Sequence, residues 1–388
     1  MSTTIDQNSA IHAFSDESRI ARMVDRLCEW VRVESPTRNA NAVNAMMDLL
    51  VSGVDGEKLD IERVPGRDGL GDAVILRAGP QNGREPILVM SHLDTVHPIG
   101  TAEKDNPVRR EGDKLYGPGI YDMKGGAYLA LEAFLEVSRR GTSARPLVFV
   151  FTPDEEIGSI TTRGLLEDLG RKSAAVLVTE PAREGGRIVT SRKGVGRYDI
   201  HIEGRPSHSG SKHAEGRNAI HEAARQISKI EAMTDYERGV TTTVGLISGG
   251  TAMNTVPQHC RFSVDLRVAT VADGEEFTAL LMGLTPLAPD FKVTVTGGMN
   301  RPPFEKTPQV SELFALAQQI GIEIGLDVQD VARTGGGSDG NFTAVFGIPT
   351  LDGLGIDGDG AHTLQEYGLI SSIAPRAKLI AGLLEQIR

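Results

Sequence analysis

Three short apolar runs in this chain each end in residues that bind metals or move protons. Ile87-Leu88-Val89-Met90 leads into Ser91-His92-Leu93-Asp94, Leu147 to Phe151 into Thr152-Pro153-Asp154-Glu155-Glu156, and Ala174 to Val178 into Thr179-Glu180. Asp122, in Gly119-Ile120-Tyr121-Asp122-Met123-Lys124-Gly125-Gly126, and His362, in Gly360-Ala361-His362-Thr363, add a carboxylate and an imidazole. Two divalent ions about 3.5 to 4 Å apart need roughly one histidine and one carboxylate each, plus a carboxylate that bridges them. His92, Asp122, Glu156, Glu180 and His362 offer two imidazoles and three acids, which matches that need. Zinc suits such donors, and cobalt or manganese could occupy the same positions. A carboxylate that is not a ligand must take the proton of the attacking water, and Glu155, beside Glu156, is the candidate.

The elements that must bring these side chains together are legible in outline. Ile20, Met23, Val24, Leu27, Trp30 and Val31 recur at helical spacing and stop near Ser35-Pro36. The three apolar runs read as buried strands, separated by helical stretches such as Ala127 to Arg139, and that alternation predicts an α/β sandwich. In open α/β sheets ligands bind at the carboxyl edge of the strands, so side chains far apart in sequence should converge in one crevice.

Between about Lys193 and Arg301 the texture changes to half-exposed strands. Phe262, Val264 and Leu266 should face one way and Ser263, Asp265 and Arg267 the other. The order there is strand (Val195 to Ile202), helix (Asn218 to Ala232), strand (Thr241 to Ile247), strand (Arg261 to Val268), helix (Gly274 to Leu284), strand (Phe291 to Val295). That is a ferredoxin-like βαββαβ unit. It predicts a discontinuous domain of residues 1–192 and 302–388 interrupted by an inserted domain of residues 193–301. The stretch from Thr334 to Gly340 lacks both the Lys-Ser/Thr ending of a P-loop and the spacing of a dinucleotide fingerprint, which excludes phosphate binding there.

Composition narrows the function classes. A length of 388 residues with 39% hydrophobic and 24% charged residues and a net charge of -11 describes an acidic globular protein, not a nucleic-acid or membrane one. The amino terminus has neither the basic start nor the apolar run of a secretory signal, which predicts a cytoplasmic protein. Two cysteines, Cys28 and Cys260, suggest neither a disulfide framework nor a thiolate cage, so any metal must sit on nitrogen and oxygen.

Ser91-His92-Leu93-Asp94-Thr95-Val96, the stretch from Tyr116 to Gly126, and Asp154-Glu155-Glu156-Ile157-Gly158-Ser159 resemble, in order, the signatures of the two-zinc aminoacylase and carboxypeptidase family. Thr179-Glu180-Pro181, Gly335-Gly336-Gly337-Ser338-Asp339 and Gly360-Ala361-His362 look closest to its glutamate carboxypeptidase branch. The resemblance implies a zinc-exopeptidase-like α/β/α catalytic domain carrying a lid and dimerisation domain, hence a homodimer. It implies one zinc on His92, Asp122 and Glu180 and a second on Asp122, Glu156 and His362, with Asp122 as the bridge. Asp94 would orient the imidazole of His92, and the Asp122-Met123 peptide would be cis. His208, in Pro206-Ser207-His208-Ser209-Gly210, would reach the partner subunit's active site and stabilise an oxyanion. Asn254 falls in a substrate-contact loop, Arg267 matches an arginine that grips a substrate carboxylate, and Lys193, Arg301 and Gly336 lie where the glutamate-cleaving branch contacts substrate. The implied activity is cleavage of a small acyl-amino acid or peptide with release of a carboxyl-terminal glutamate-like residue. An N-acyl-amino acid deacylase of acetylornithine or succinyl-diaminopimelate type, or an N-carbamoyl amidohydrolase, would share every ligand. His97 suits either a pocket wall or a loop position without chemical duty, and His12, His201, His213, His221 and His259 fit no part of the motif.

Overall fold

The computed structural model describes residues 8–388, so the expectation about the amino-terminal segment falls largely outside the described residues. The described residues divide into two compact units, one of residues 8–191, 306–334 and 338–388 and the other of residues 192–305 and 335–337. Among the described residues, no helix is long and apolar enough to cross a membrane.

The first unit is built on a six-stranded sheet whose order across the sheet is Asp60–Val64, Ala73–Ala78, Leu147–Thr152, Ile87–His92, Ala175–Val178, Thr350–Leu351. The last four run parallel, and Ala73–Ala78 joins them antiparallel. Every residue of Ile87–His92 and Leu147–Thr152 is buried, because both faces are covered. Ile87, Val89, Leu147, Phe149 and Phe151 pack toward helices Glu17–Arg32, Ala40–Gly53, Gly125–Arg140 and Ile370–Gln386. Leu88, Met90, Val148 and Val150 pack the opposite way, with Leu166 of helix Arg163–Arg171 and with Phe342. The period of two along each strand thus divides its side chains between two cores, which is the three-layer α/β/α plan.

The second unit holds a four-stranded antiparallel sheet in the order Thr241–Gly249, His259–Val268, Gly194–Glu203, Lys292–Arg301. Helices Ala219–Glu231 and Val271–Met282 complete the ferredoxin-like unit. Phe262, Val264 and Leu266 are buried with residues of both helices, while Ser263, Asp265 and Arg267 are half-buried on the other face. The strand expected to stop at Val295 continues to Arg301. Gly297 and Gly298 carry the strand through at φ 117° and 156°. A Cβ on Gly297 would stand 2.1 Å from the carbonyl oxygen of Arg197 on the paired strand, so glycine is required for that approach.

Candidate metal centre

Strand ends place three of the expected residues. His92 closes its strand, Glu156 lies in the short turn Glu155–Ile157 just beyond Thr152, and Glu180 follows Val178 by two residues. The other two come from irregular backbone. Asp122 sits in a distorted turn, Ile120–Lys124, where its φ/ψ of -116°/97° is not helical, and the Asp122-Met123 peptide is cis. His362 lies between the paired segments Gly358–Asp359 and Tyr367–Leu369, at a left-handed φ of 63° that side chains seldom adopt.

These five converge in two triads that share Asp122. Donor atoms of His92, Asp122 and Glu180 lie within 4.8 Å of one another, as do those of Asp122, Glu156 and His362. Oδ1 of Asp122 is 3.2 Å from Nε2 of His92, and its Oδ2 is 3.4 Å from Nε2 of His362. Nε2 of His92 also stands 3.9 Å from Oε1 of Glu180, and Nε2 of His362 stands 3.0 Å from Oε2 of Glu156.

Divalent cations fit this arrangement on three grounds. Nδ1 of His92 lies 2.9 Å from the carbonyl oxygen of Asp94, which takes its proton and leaves the Nε2 lone pair directed at two carboxylates. Oε1 of Glu156 is buried with no hydrogen-bond partner, a costly state for a carboxylate oxygen unless a cation meets it. Three acids against two imidazoles leave an excess of negative charge. That excess is visible in the titration of the group. Burial opposes charge on His92, but hydrogen bonds to Asp122 and Asp94 raise its imidazole well above the ordinary value. Hydrogen bonds to Asp122 and then Glu156 push His362 up to about 11. Burial alone would raise Asp122, yet the two imidazoles hold it well below the usual carboxylate range, and burial lifts Glu156. The field that draws protons to these rings is the field a divalent cation would neutralise.

The surroundings position the triads. The carboxylate of Asp94 accepts from Thr37 Oγ1 at 2.7 Å and from the backbone N–H groups of Glu155 and Glu156, each at 3.2 Å. Glu155 is half-buried, belongs to neither triad, and its charge acts on His92. Asp339 and Glu366 are buried carboxylates given no part by sequence reasoning. Asp339 accepts from Ser159 Oγ and, at 3.2 Å, from Thr152 Oγ1, bracing the turn that carries Glu155 and Glu156 from both sides. A lone buried acid acting on hydroxyls and backbone amides leaves no motif, although Asp339 stands inside the Gly335 to Asp339 signature.

The expected substrate contacts belong to the second unit. His208 and Asn254 are exposed on neighbouring loops, joined by a hydrogen bond from Ser209 N to the Asn254 carbonyl oxygen at 3.0 Å. Nδ1 of His208 accepts from the N–H groups of Gly210 and Ser211 at 3.1 and 3.2 Å, which puts the ring proton on Nε2 as an outward donor. Arg267 spends its Nε and Nη2 on a bidentate pair with Asp265 at 2.7 and 3.0 Å, and its Nη1 contacts the Gly335 carbonyl oxygen at 3.2 Å. Arg301 is buried, with its Cδ 2.6 Å from where a Cβ on Gly337 would stand, while Lys193 is half-buried. The Gly336 carbonyl oxygen accepts from Arg192 at 3.2 Å.

Residues 88–386 match peptidase family M20/M25/M40. The chain is 30% identical to carboxypeptidase G2 of Pseudomonas sp. (strain RS-16) over 389 residues, covering 97% of this chain and 91% of that one. It is 27% identical to the succinyl-diaminopimelate desuccinylase of Cupriavidus necator, covering 80% and 85%. Its backbone superposes on a tripeptidase of Staphylococcus aureus with a TM-score of 0.76 at 22% identity, covering 94% and 98%, which speaks for the fold. With two triads of metal-donor side chains built around one aspartate, the chain is a metal-dependent hydrolase and belongs to peptidase family M20/M25/M40.

Proposed function

We propose that the chain is a two-zinc amidohydrolase that releases a carboxyl-terminal glutamate-like residue from a small acyl-amino acid or peptide. The observation that carries the two-metal part is Asp122, whose two oxygens face different histidines at 3.2 and 3.4 Å. His92, Asp122 and Glu180 would hold one ion, and Asp122, Glu156 and His362 the other. The likeness to carboxypeptidase G2 along nearly the whole chain supports the carboxypeptidase reading. Arg267, whose guanidinium keeps N–H groups beyond those given to Asp265 and Gly335, supports recognition of a substrate carboxylate.

When bound there, a pair of divalent cations supplies Lewis-acid polarisation of the scissile carbonyl and acidifies the attacking water. Glu155 accepts the proton of that water and returns it to the leaving amine. Asp94 orients His92 and fixes the backbone of Glu155 and Glu156. Nε2–H of His208 donates to the developing oxyanion, and Arg267 with Asn254 holds the substrate carboxylate. Lys193, Arg301 and Gly336 belong to the same substrate-binding role, and the second unit serves as lid and dimerisation domain.

A panel of acyl-glutamates, folate-like substrates, acetyl- and succinyl-amino acids and short peptides, incubated with zinc-loaded protein and read by mass spectrometry, tests the substrate class. Release of glutamate from the acyl-glutamates is expected. Release of only acetate or succinate from amino acids whose side chain is not glutamate-like would replace this reading with that of a deacylase.

A further inference from the structure

Glu366 is fully buried and has no part in the reaction just described. Its Oε1 accepts from the backbone N–H groups of Tyr121 and Asp122, both at 2.9 Å. Its Oε2 accepts from the N–H of Gly119 at 2.8 Å and faces Nε2 of His97 at 2.8 Å. The carbonyl oxygen of the same residue accepts from Gly117 N at 3.4 Å and Asn106 Nδ2 at 3.2 Å.

The donors explain the arrangement. Asp122 and Met123 leave the helical region, so the amides of Gly119, Tyr121 and Asp122 lie in a turn with no regular ladder to receive them. Buried N–H groups need acceptors, and one carboxylate takes all three. Glu366 also follows His362 by four residues, and the segments on either side of that loop pair with each other. One short segment thus bears His362 and grips the turn that bears Asp122.

Resting on the metal-centre reading above, we infer that Glu366 is a positioning residue that aims the two oxygens of Asp122 at the two metal positions and thereby sets metal affinity, with His97 tethering it. His97 then has a duty that its place past a strand end did not reveal. The carboxylate is needed for its four acceptor directions. An amide of the same shape would turn its NH2 toward one pair of N–H donors whichever way it is rotated. Glu366→Gln changes almost no volume and still breaks the grip.

The test titrates zinc into chelator-stripped protein against a chromophoric chelator, with thermal unfolding followed in the same buffer. Glu366→Gln is expected to weaken zinc binding by about 10- to 100-fold, the usual cost of losing support for a metal ligand. His97→Ala, which removes one of the four donors, should shift affinity the same way by less. Glu385→Gln is the control, because this other buried carboxylate holds Ser9 and Ala10 at 2.6 and 2.7 Å and touches none of the triads. It should lower stability and leave zinc affinity unchanged. Folded Glu366→Gln with the parent's affinity, or an equal loss in Glu385→Gln, would overturn the inference. If Glu366→Gln does not fold, His97→Ala decides, and unchanged affinity there overturns it as well. A parent protein that takes up no zinc would instead refute the metal-centre reading itself.

Discussion

The imidazole of His92 is held by the peptide of Asp94 more closely than by its carboxylate: Nδ1 lies 2.9 Å from the Asp94 carbonyl oxygen and 3.4 Å from Oδ1. The carboxylate is thereby released for Thr37 Oγ1 and the amides of Glu155 and Glu156. Asp94→Asn should leave His92 oriented and disturb the turn of the two glutamates, because its NH2 must oppose one of those donors. Turnover is expected to fall about 10- to 100-fold while metal content stays near that of the parent. Steady-state kinetics beside metal analysis of the same sample checks both halves.

Glu155→Gln tests the base more sharply. The amide keeps the shape and loses proton acceptance, so kcat should fall by about 100- to 10,000-fold with metal content unchanged. A variant that retains a large part of the parent's kcat while fully loaded would assign the proton transfer to another group.

Binding of zinc should expel protons. Without metal, hydrogen bonds to Asp122 and Glu156 raise His362 to about 11, so at pH 8 the ring is protonated and must lose that proton to present Nε2. Calorimetry of zinc binding at pH 8 in buffers of different ionisation enthalpy should report proton release, and affinity should rise as pH climbs toward 11. The same shift acts on folding. A folded value raised above the ordinary 6.5 gives the metal-free protein a contribution fully present below about 6.5 and lost as pH rises through about 11. The ring is about half exposed, so solvent screens much of it. His362→Gln should flatten the alkaline fall in the metal-free protein's melting temperature.

How much of this was legible follows from what each residue depends on. His92, Glu156 and Glu180 could be placed from residue types alone, because fully buried strands write continuous apolar runs and the strand ends point at one edge. Asp122 and His362 lie on a distorted turn and a left-handed loop, where no periodicity exists, so residue type offered them as donors to complete the set and the family resemblance gave them their places in it. Helix Ala40–Gly53, the edge strand Asp60–Val64 and its neighbour Ala73–Ala78 went unread between turn-forming residues. The run from Val295 to Arg301 was hidden by its two glycines, whose effect depends on the strand beside them. Glu366 left no trace because it acts on backbone amides, which every sequence has.

Gly126 should be intolerant of any side chain. A Cβ there would stand 2.0 Å from the Thr179 carbonyl oxygen and 2.9 Å from Gly355 Cα, both backbone. Gly126→Ala must push the Gly125–Arg140 helix from the segment that carries Glu180, at a cost of about 1–3 kcal/mol or more. Chemical denaturation should show the loss, and zinc affinity should fall with it.

Arg267→Ala should act on binding rather than on the chemical step. Losing a charge-assisted contact to the substrate carboxylate costs about 1.5–3 kcal/mol, which predicts KM raised roughly 10- to 150-fold with kcat little changed. Kinetics on the best acyl-glutamate found would check it. An unchanged KM would leave Arg267 as a partner of Asp265 and Gly335 only, with no part in holding substrate.

The most direct measurement is anomalous diffraction at the zinc absorption edge from crystals of zinc-loaded protein. The account predicts two peaks per chain, about 3.5 to 4 Å apart, one bounded by His92, Asp122 and Glu180 and the other by Asp122, Glu156 and His362. A single peak, or two that do not share Asp122, would contradict it.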